Sequence, residues 1–335
     1  TSFLREMATL KPFIEDILKK NTLDFDKLVQ QVYDETKVDK DKIKTRINKL
    51  VSEGLLKIDK ENISLPKPQR PLGLKEEFGK FVRTMSKNTK ISECVHPDKS
   101  ACSEKIIKAH SIQNNGILSK IAKNGEVMQI KFDESIFTGD LSKVGRRIAT
   151  TFTGFCGKHD NDTFEPIEKK SYELGNKEQE FLFAYRAFAR ELIVKQQAQN
   201  INLKALKIAG SGSFLEGIGH YTKIAIRDLF SIKTKLDESL SKKDYELIET
   251  KQIVLDTEYL ISVSSIFSIE FDFEGNMIND LSDEETEVKD IFLTIFPQDG
   301  KTYVLISYLK KDSSTFKFLD SQLIGLDEQE QINRI

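Results

Sequence analysis

The sequence predicts an α+β protein of several domains: helical at its start, helical again in its middle, and an antiparallel sheet at its end. Three observations carry that expectation. Apolar residues recur at helical spacing up to Val51 and again from Glu178 to about Ser241. From Ile253 the period changes to that of strands, rich in β-branched and aromatic residues. Between these regions, all three cysteines and three of the four histidines fall between positions 94 and 159. The domain boundaries expected on this basis are 1–70, a linker and short helix over 71–90, a metal-binding segment over 91–170, a helical region over 171–250 and an acidic sheet over 251–335.

The elements follow in order. Leu10, Phe13, Ile14, Ile17 and Leu18 give one helical face, and Leu23, Phe25, Leu28, Val29 and Val32 a second. Asp39 precedes a third helix carrying Ile43, Ile47, Leu50 and Val51, with Gly54 as its stop signal. Leu55–Leu65 alternates around Asp59-Lys60-Glu61-Asn62 as a hairpin would. Pro66, Pro68 and Pro71 make a semi-rigid linker. A short helix is expected around Leu74–Met85 and a strand at Val127–Phe132. Glu178–Gln197 reads as a strong helix, with Phe181, Leu182, Tyr185, Phe188, Ala189 and Leu192 on its face. The glycine-rich run from Gly210 to His220 reads as an interhelical loop, since it has no phosphate-loop pattern and follows a helix. Asp299-Gly300 between two β-type runs predicts a tight hairpin.

Composition narrows the class. Of 335 residues, 39% are hydrophobic and 31% charged, a globular balance. The longest mostly apolar run, Tyr259–Phe271, is shorter than the ~18 residues a spanning helix requires. Thr1–Lys20 is charged and amphipathic, unlike a secretory signal. A cytoplasmic location without membrane association is therefore expected. Residues 236–335 carry 9 basic against 22 acidic side chains, and the remainder 42 against 31. A basic body with an acidic end suits nucleic-acid binding by the body and a protein partner at the acidic third.

Three cysteines cannot all pair, and their clustering with histidine points to metal. Zinc takes thiolate and imidazole in a tetrahedron, its structural sites drawing ligands from two short loops. Cys94 and Cys102 supply one loop; "FCGKHD" supplies Cys156 and His159, with Gly157 expected to ease the knuckle. These four form the preferred Zn²⁺ set, and His96 and His110 compete for places in it.

"KIIKAHSIQNNGIL" and "ATTFTGFCGKHDNDTFEPIE" together resemble the treble-clef zinc domain of the HNH endonuclease group, and more closely an HNH-like variant of uncharacterised bacterial proteins, some linked to phage defence. The likeness covers about 75 residues. It implies that His110 is a general base and that Cys156 and His159 are zinc ligands. It further implies that Asp160, standing where the group has a histidine, binds Mg²⁺, with Asp162 or Glu165 assisting. Thr151 stands where the group has an asparagine. Residues 10–65 resemble a winged helix-turn-helix, in which Lys42, Lys44 and Arg46 of the third helix would contact nucleic acid. Arg146 and Arg147 are candidate phosphate contacts. The functional expectation is a zinc-containing protein that engages nucleic acid, an HNH-like metal-dependent nuclease in anti-phage defence. The alternative is a non-enzymatic protein-interaction module with a purely structural zinc.

Overall fold

The computed structural model describes residues 22–52, 56–60, 62–64, 84–85, 87–103, 105–130, 141–209 and 214–335, with Leu10, Ile14, Glu15, Ile17, Leu18 and Lys19. Gly54, the proline linker and most of the Leu74–Met85 expectation lie outside these residues. The chain divides into two compact units, Thr1–Phe78 and Gly79–Ile335.

In the first unit Leu10, Ile14, Ile17 and Leu18 are helical and buried. A short strand β1 (Leu23–Asp24) follows, then α1 (Phe25–Thr36) and α2 (Lys40–Ser52). Leu23 therefore opens a strand, and the second helix begins later than its apolar face suggested. Asp24 sets that start: its carboxylate accepts the Lys27 N–H at 2.9 Å and pairs with the Lys27 ammonium at 2.8 Å. Lys37, left-handed at φ 55°, ends α1. Asp39 caps α2 by accepting from the Asp41 and Lys42 amides at 3.0 and 3.2 Å. The expected hairpin is present: β2 (Lys57–Asp59) pairs antiparallel with β3 (Asn62–Ser64), and β1 joins to give the order β1-β3-β2. Leu28, Val32, Ile43, Ile47 and Ile63 are fully buried in one core with the first helical residues. Each such side chain contributes about 1.5–3 kcal/mol of burial.

The second unit is built on α4 (Lys177–Ala209), 33 residues long. Phe181, Leu182, Ala184, Tyr185, Ala187 and Phe188 are all buried, so neighbours enclose this helix on most sides. The cysteine–histidine segment packs against it through α3 (Gly157–Glu168). So does α5 (Phe214–Lys242). The last neighbour is a four-stranded antiparallel sheet of β8 (Ile248–Leu255), β9 (Val263–Ser268), β10 (Asp290–Gln298) and β11 (Lys301–Leu309), ordered β8-β11-β10-β9. The expected β10–β11 hairpin closes Gln298 on Lys301, with Asp299 and Gly300 at φ 53° and 80°, the geometry a two-residue primed turn demands. A single core runs from Cys94, Phe155 and Phe164 through Tyr185 and Phe188 to Ile266, Phe292 and Leu309. The segments 91–170, 171–250 and 251–335 thus share one interior.

One local expectation is corrected. Gly217, Gly219 and His220 lie within α5 and not in a loop. At Gly219 a Cβ would meet Asn202 Oδ1 of α4 at 2.5 Å, so this glycine permits a close approach of two helices. Among the described residues no helix is long and apolar enough to cross a membrane.

Candidate metal centre

Short antiparallel contacts assemble the site. The strand β4 (Ala109–His110) pairs with β7 (Thr151–Phe152), setting His110 opposite Thr151. The pairing extends to Ile106 and Cys156. Val95 N–H donates to the Gly154 carbonyl at 2.7 Å, drawing the first loop onto the second. Within the first loop, Asp98 accepts from the Ser100 and Ala101 amides at 3.1 and 3.2 Å and turns the chain back toward Cys102. Immediately after β7, Cys156 caps α3.

These contacts bring Cys94, Cys102, Cys156 and His159 together, their ligand atoms within 4.8 Å of one another. His159 Nδ1 lies 3.4 Å from Cys94 Sγ, 3.5 Å from Cys102 Sγ and 3.4 Å from Cys156 Sγ. A single ring nitrogen cannot hydrogen-bond three thiols equally. A tetrahedron with Zn–S of about 2.3 Å and Zn–N of about 2.0 Å sets sulfur and nitrogen about 3.5 Å apart, which is the spacing found. Cys156 Sγ also accepts from the His159 and Ser103 amides at 3.5 and 3.4 Å. Burial resists ionisation of this thiol, but those amides prevail and bring it down to about 6. Cys102 is pushed up to about 11 by burial and by Cys94 beside it. Three sulfurs this close, two of them on buried cysteines, need a cation to be thiolates together, and the donor set suits Zn²⁺.

The competing histidines are placed elsewhere. His96 stacks on the His159 ring, centroids 3.9 Å apart, and its Nδ1 accepts the Asp98 N–H at 3.2 Å. His110 is not among the clustered ligands. Gly157 has no special duty: a Cβ there would meet Ile107 at 3.6 Å and Ser103 at 3.9 Å, both ordinary contacts.

A second polar centre lies beside the metal cluster. His110 is half-buried, and its Nδ1 has no hydrogen-bond partner. Burial pushes its pKa down, against the Ala149 carbonyl and the Glu168 charge. Asp160, on α3, has a buried Oδ1 that is equally unpartnered. Burial raises its carboxyl, and the Arg186 guanidinium opposes that. Glu168 and Arg186 join the two electrostatically: each acts on both His110 and Asp160. Arg186 pairs with Glu168 at 2.5 Å and lies over the Phe164 ring at 4.1 Å. Its Nε is a third orphan atom.

Sequence reasoning missed Glu168 and Arg186. The available signal was Arg186 itself, the one charge inside the apolar run Phe181–Ala189. The expected helpers Asp162 and Glu165 are exposed. At 100° per residue they lie about 200° and 140° around α3 from Asp160, whereas Glu168 lies about 80° away. Thr151 donates to the Ile148 carbonyl at 2.9 Å and does not brace the imidazole. Arg146 is tied to the Asn114 carbonyl and side chain at 3.0 and 3.1 Å, and Arg147 is exposed. In the first unit, Lys42, Lys44 and Arg46 are half-exposed along α2, and Arg46 Nε is buried without a partner.

No family model, curated protein or solved structure matches this chain.

Proposed function

We propose that the chain engages nucleic acid and cleaves phosphodiester bonds at the His110 centre, in the manner of an HNH nuclease braced by a structural zinc. The observation carrying this reading is the grouping of His110 and Asp160 with Glu168 and Arg186 beside the Cys94–Cys102–Cys156–His159 cluster. Three buried polar atoms without partners, His110 Nδ1, Asp160 Oδ1 and Arg186 Nε, are what a centre awaiting water, cation or phosphate presents.

Each residue has a distinct task. The lowered pKa keeps His110 neutral near pH 7, so its ring can take a proton from attacking water. Asp160 and Glu168 offer hard oxygen ligands for Mg²⁺, which when bound supplies charge stabilisation at the phosphoryl group. Arg186 offsets the two carboxylates and fixes Glu168. Zinc holds β4, β7 and α3 in register and takes no part in chemistry. The helix–β1–α1–α2–β2–β3 order of the first unit supports a winged-helix reading, with Lys42, Lys44 and Arg46 facing the nucleic acid. Anti-phage defence follows from the family resemblance alone.

The Glu168–Arg186 pair over Phe164 favours the second reading, in which these groups only fasten α3 to α4 and the module binds protein through its acidic third. The test is Mg²⁺-dependent nicking of supercoiled plasmid. His110→Ala should lower the rate by about 10²–10⁴-fold with zinc content unchanged. Equal activity of both proteins, or none in either, removes the nuclease reading. Release of zinc by His110→Ala would instead make the residue structural.

A further inference from the structure

A groove of about 280 Å³ lies against the β4–β7 pair. Its walls carry Lys87, Lys90 and Lys108 with the hydroxyl residues Thr151 and Thr153, over an apolar floor that includes Val194. No carboxylate lines it. Among the described residues none of these three exposed lysines forms an ion pair or donates a side-chain hydrogen bond. A fourth cation adjoins the groove, since the Lys204 ammonium donates to the Asn88 carbonyl at 2.7 Å. The groove is also in register with the polar centre. Thr151 is the cross-strand partner of His110. Lys108 precedes His110 by two residues, about 6.6 Å of extended chain.

Three uncompensated ammonium groups in one groove suit a row of phosphates and repel a basic ligand, while the Thr151 and Thr153 hydroxyls already donate to the Ile148 and Ile91 carbonyls. We propose that this groove seats the backbone phosphates of one nucleic-acid strand, next to the bond that faces His110. The placement rests on the nuclease reading; the binding does not. The contacts are to phosphate, so affinity is salt-dependent and indifferent to base sequence.

The test measures binding of short fluorescein-labelled DNA and RNA, single-stranded and duplex, to the full chain across a salt series. Lys87→Glu/Lys90→Glu/Lys108→Glu should weaken binding at least about tenfold at low salt and flatten the log–log salt slope by about 2, at about 0.7 per lost phosphate contact. The same change is made in a chain already carrying Lys42→Glu, Lys44→Glu and Arg46→Glu, so that binding by α2 does not hide the groove. The glutamine triple at the same positions covers any misfolding of the glutamate variant. Lys301→Glu/Lys310→Glu/Lys317→Glu carries the same charge change at the other end of the chain and should leave the slope nearly intact.

Unaltered binding by both groove triples, equal losses in groove and control triples, or no binding by the unaltered chain overturns the proposal. Plasmid nicking separates the two ideas. If nicking persists while groove variants bind normally, the groove inference fails and the nuclease reading stands. If nothing is nicked yet groove variants lose binding, the groove stands and the nuclease reading fails.

Discussion

The cysteine–histidine segment and the C-terminal sheet both pack on α4, yet they are held by different means. The sheet holds itself. Its strands run to nine residues, and its buried polar groups are answered: Thr250 meets Ser307 at 2.8 Å, and Asn279 serves the Ile269 and Lys289 carbonyls and the Lys289 amide. Among the described residues, none of the orphaned buried atoms falls between 244 and 335. Around the ligand cluster the cysteine–histidine segment instead rests on two-residue strands and four clustered ligand atoms, with unpartnered groups at His110, Thr150 and Asp160. A region that saturates its own hydrogen bonds needs no guest, whereas one that does not leaves donors and acceptors open to water or a ligand.

Metal removal should break this comparison most visibly. Zinc contributes about 10–16 kcal/mol in small zinc peptides, more than any single core truncation at about 2–5 kcal/mol. Chelation, or Cys156→Ala, should therefore deprotect the amides of residues 94–164 in hydrogen exchange while β10 and β11 stay slow. A uniform loss across both regions would show that the sheet depends on the metal as well.

A smaller effect tests the sheet's one strongly perturbed carboxylate. Burial pushes Asp290 up to about 6, the Ser268 hydroxyl at 2.5 Å pulling the other way and Asp228, Glu191 and Glu287 adding to the rise. A folded pKa above the unfolded value of about 3.9 means that the stability tied to this proton is present at low pH. It is lost as pH rises through about 6. Asp290→Asn should keep the Ser268 bond and raise stability near pH 7 by up to a few kcal/mol, with no gain near pH 3. Denaturant midpoints at the two pH values decide it; a gain of the same size at both would exclude the linkage.

The least effect concerns α5. Gly217 faces open space, so Gly217→Ala should add about 0.5–1 kcal/mol of helix stability. Gly219→Ala should add none and should lower the melting temperature, because Asn202 is buried and already donates to the Leu215 carbonyl at 2.9 Å.

The fold was legible where local chemistry decides it. Asp39 as a cap, Asp299-Gly300 as a primed turn and the alternation after Ile253 each state a structure in a few residues. The four clustered ligands were legible because cysteine and histidine are scarce, and their joint placement stands out. What the sequence hid is set by distant packing. Glu168 follows the helix turn from Asp160, but nothing near it announces Arg186, 18 residues on in another helix. Gly219 looks like a loop residue until Asn202 is seen against it. Leu23 carries a helical spacing that the pairing of β1 with β3 overrides.

The chain leaves β4 at Ser111 and returns at Thr150, where the Ser111 amide donates to the Thr150 carbonyl at 3.1 Å. Between them lies an excursion closed by this stem, of which residues 112–130 and 141–149 are described. The first turns of that loop are anchored, since Ile112, Ile117 and Leu118 pack with Tyr172, Phe296 and Leu305. Beyond them stands the hairpin of β5 (Glu126–Ile130) and β6 (Leu141–Gly145), with Met128, Ile130 and Leu141 exposed. The chain entropy of closing a loop rises by only about 0.6 kcal/mol for each doubling of its length. Changes of length in that excursion therefore cost the stem little chain entropy, while Gln129 of β5, which accepts the Thr150 amide at 3.3 Å, is the hairpin's tie to it. The described parts of that hairpin, residues 122–130 and 141–145, are therefore where the fold can vary while the His110–Thr151 pair stays fixed.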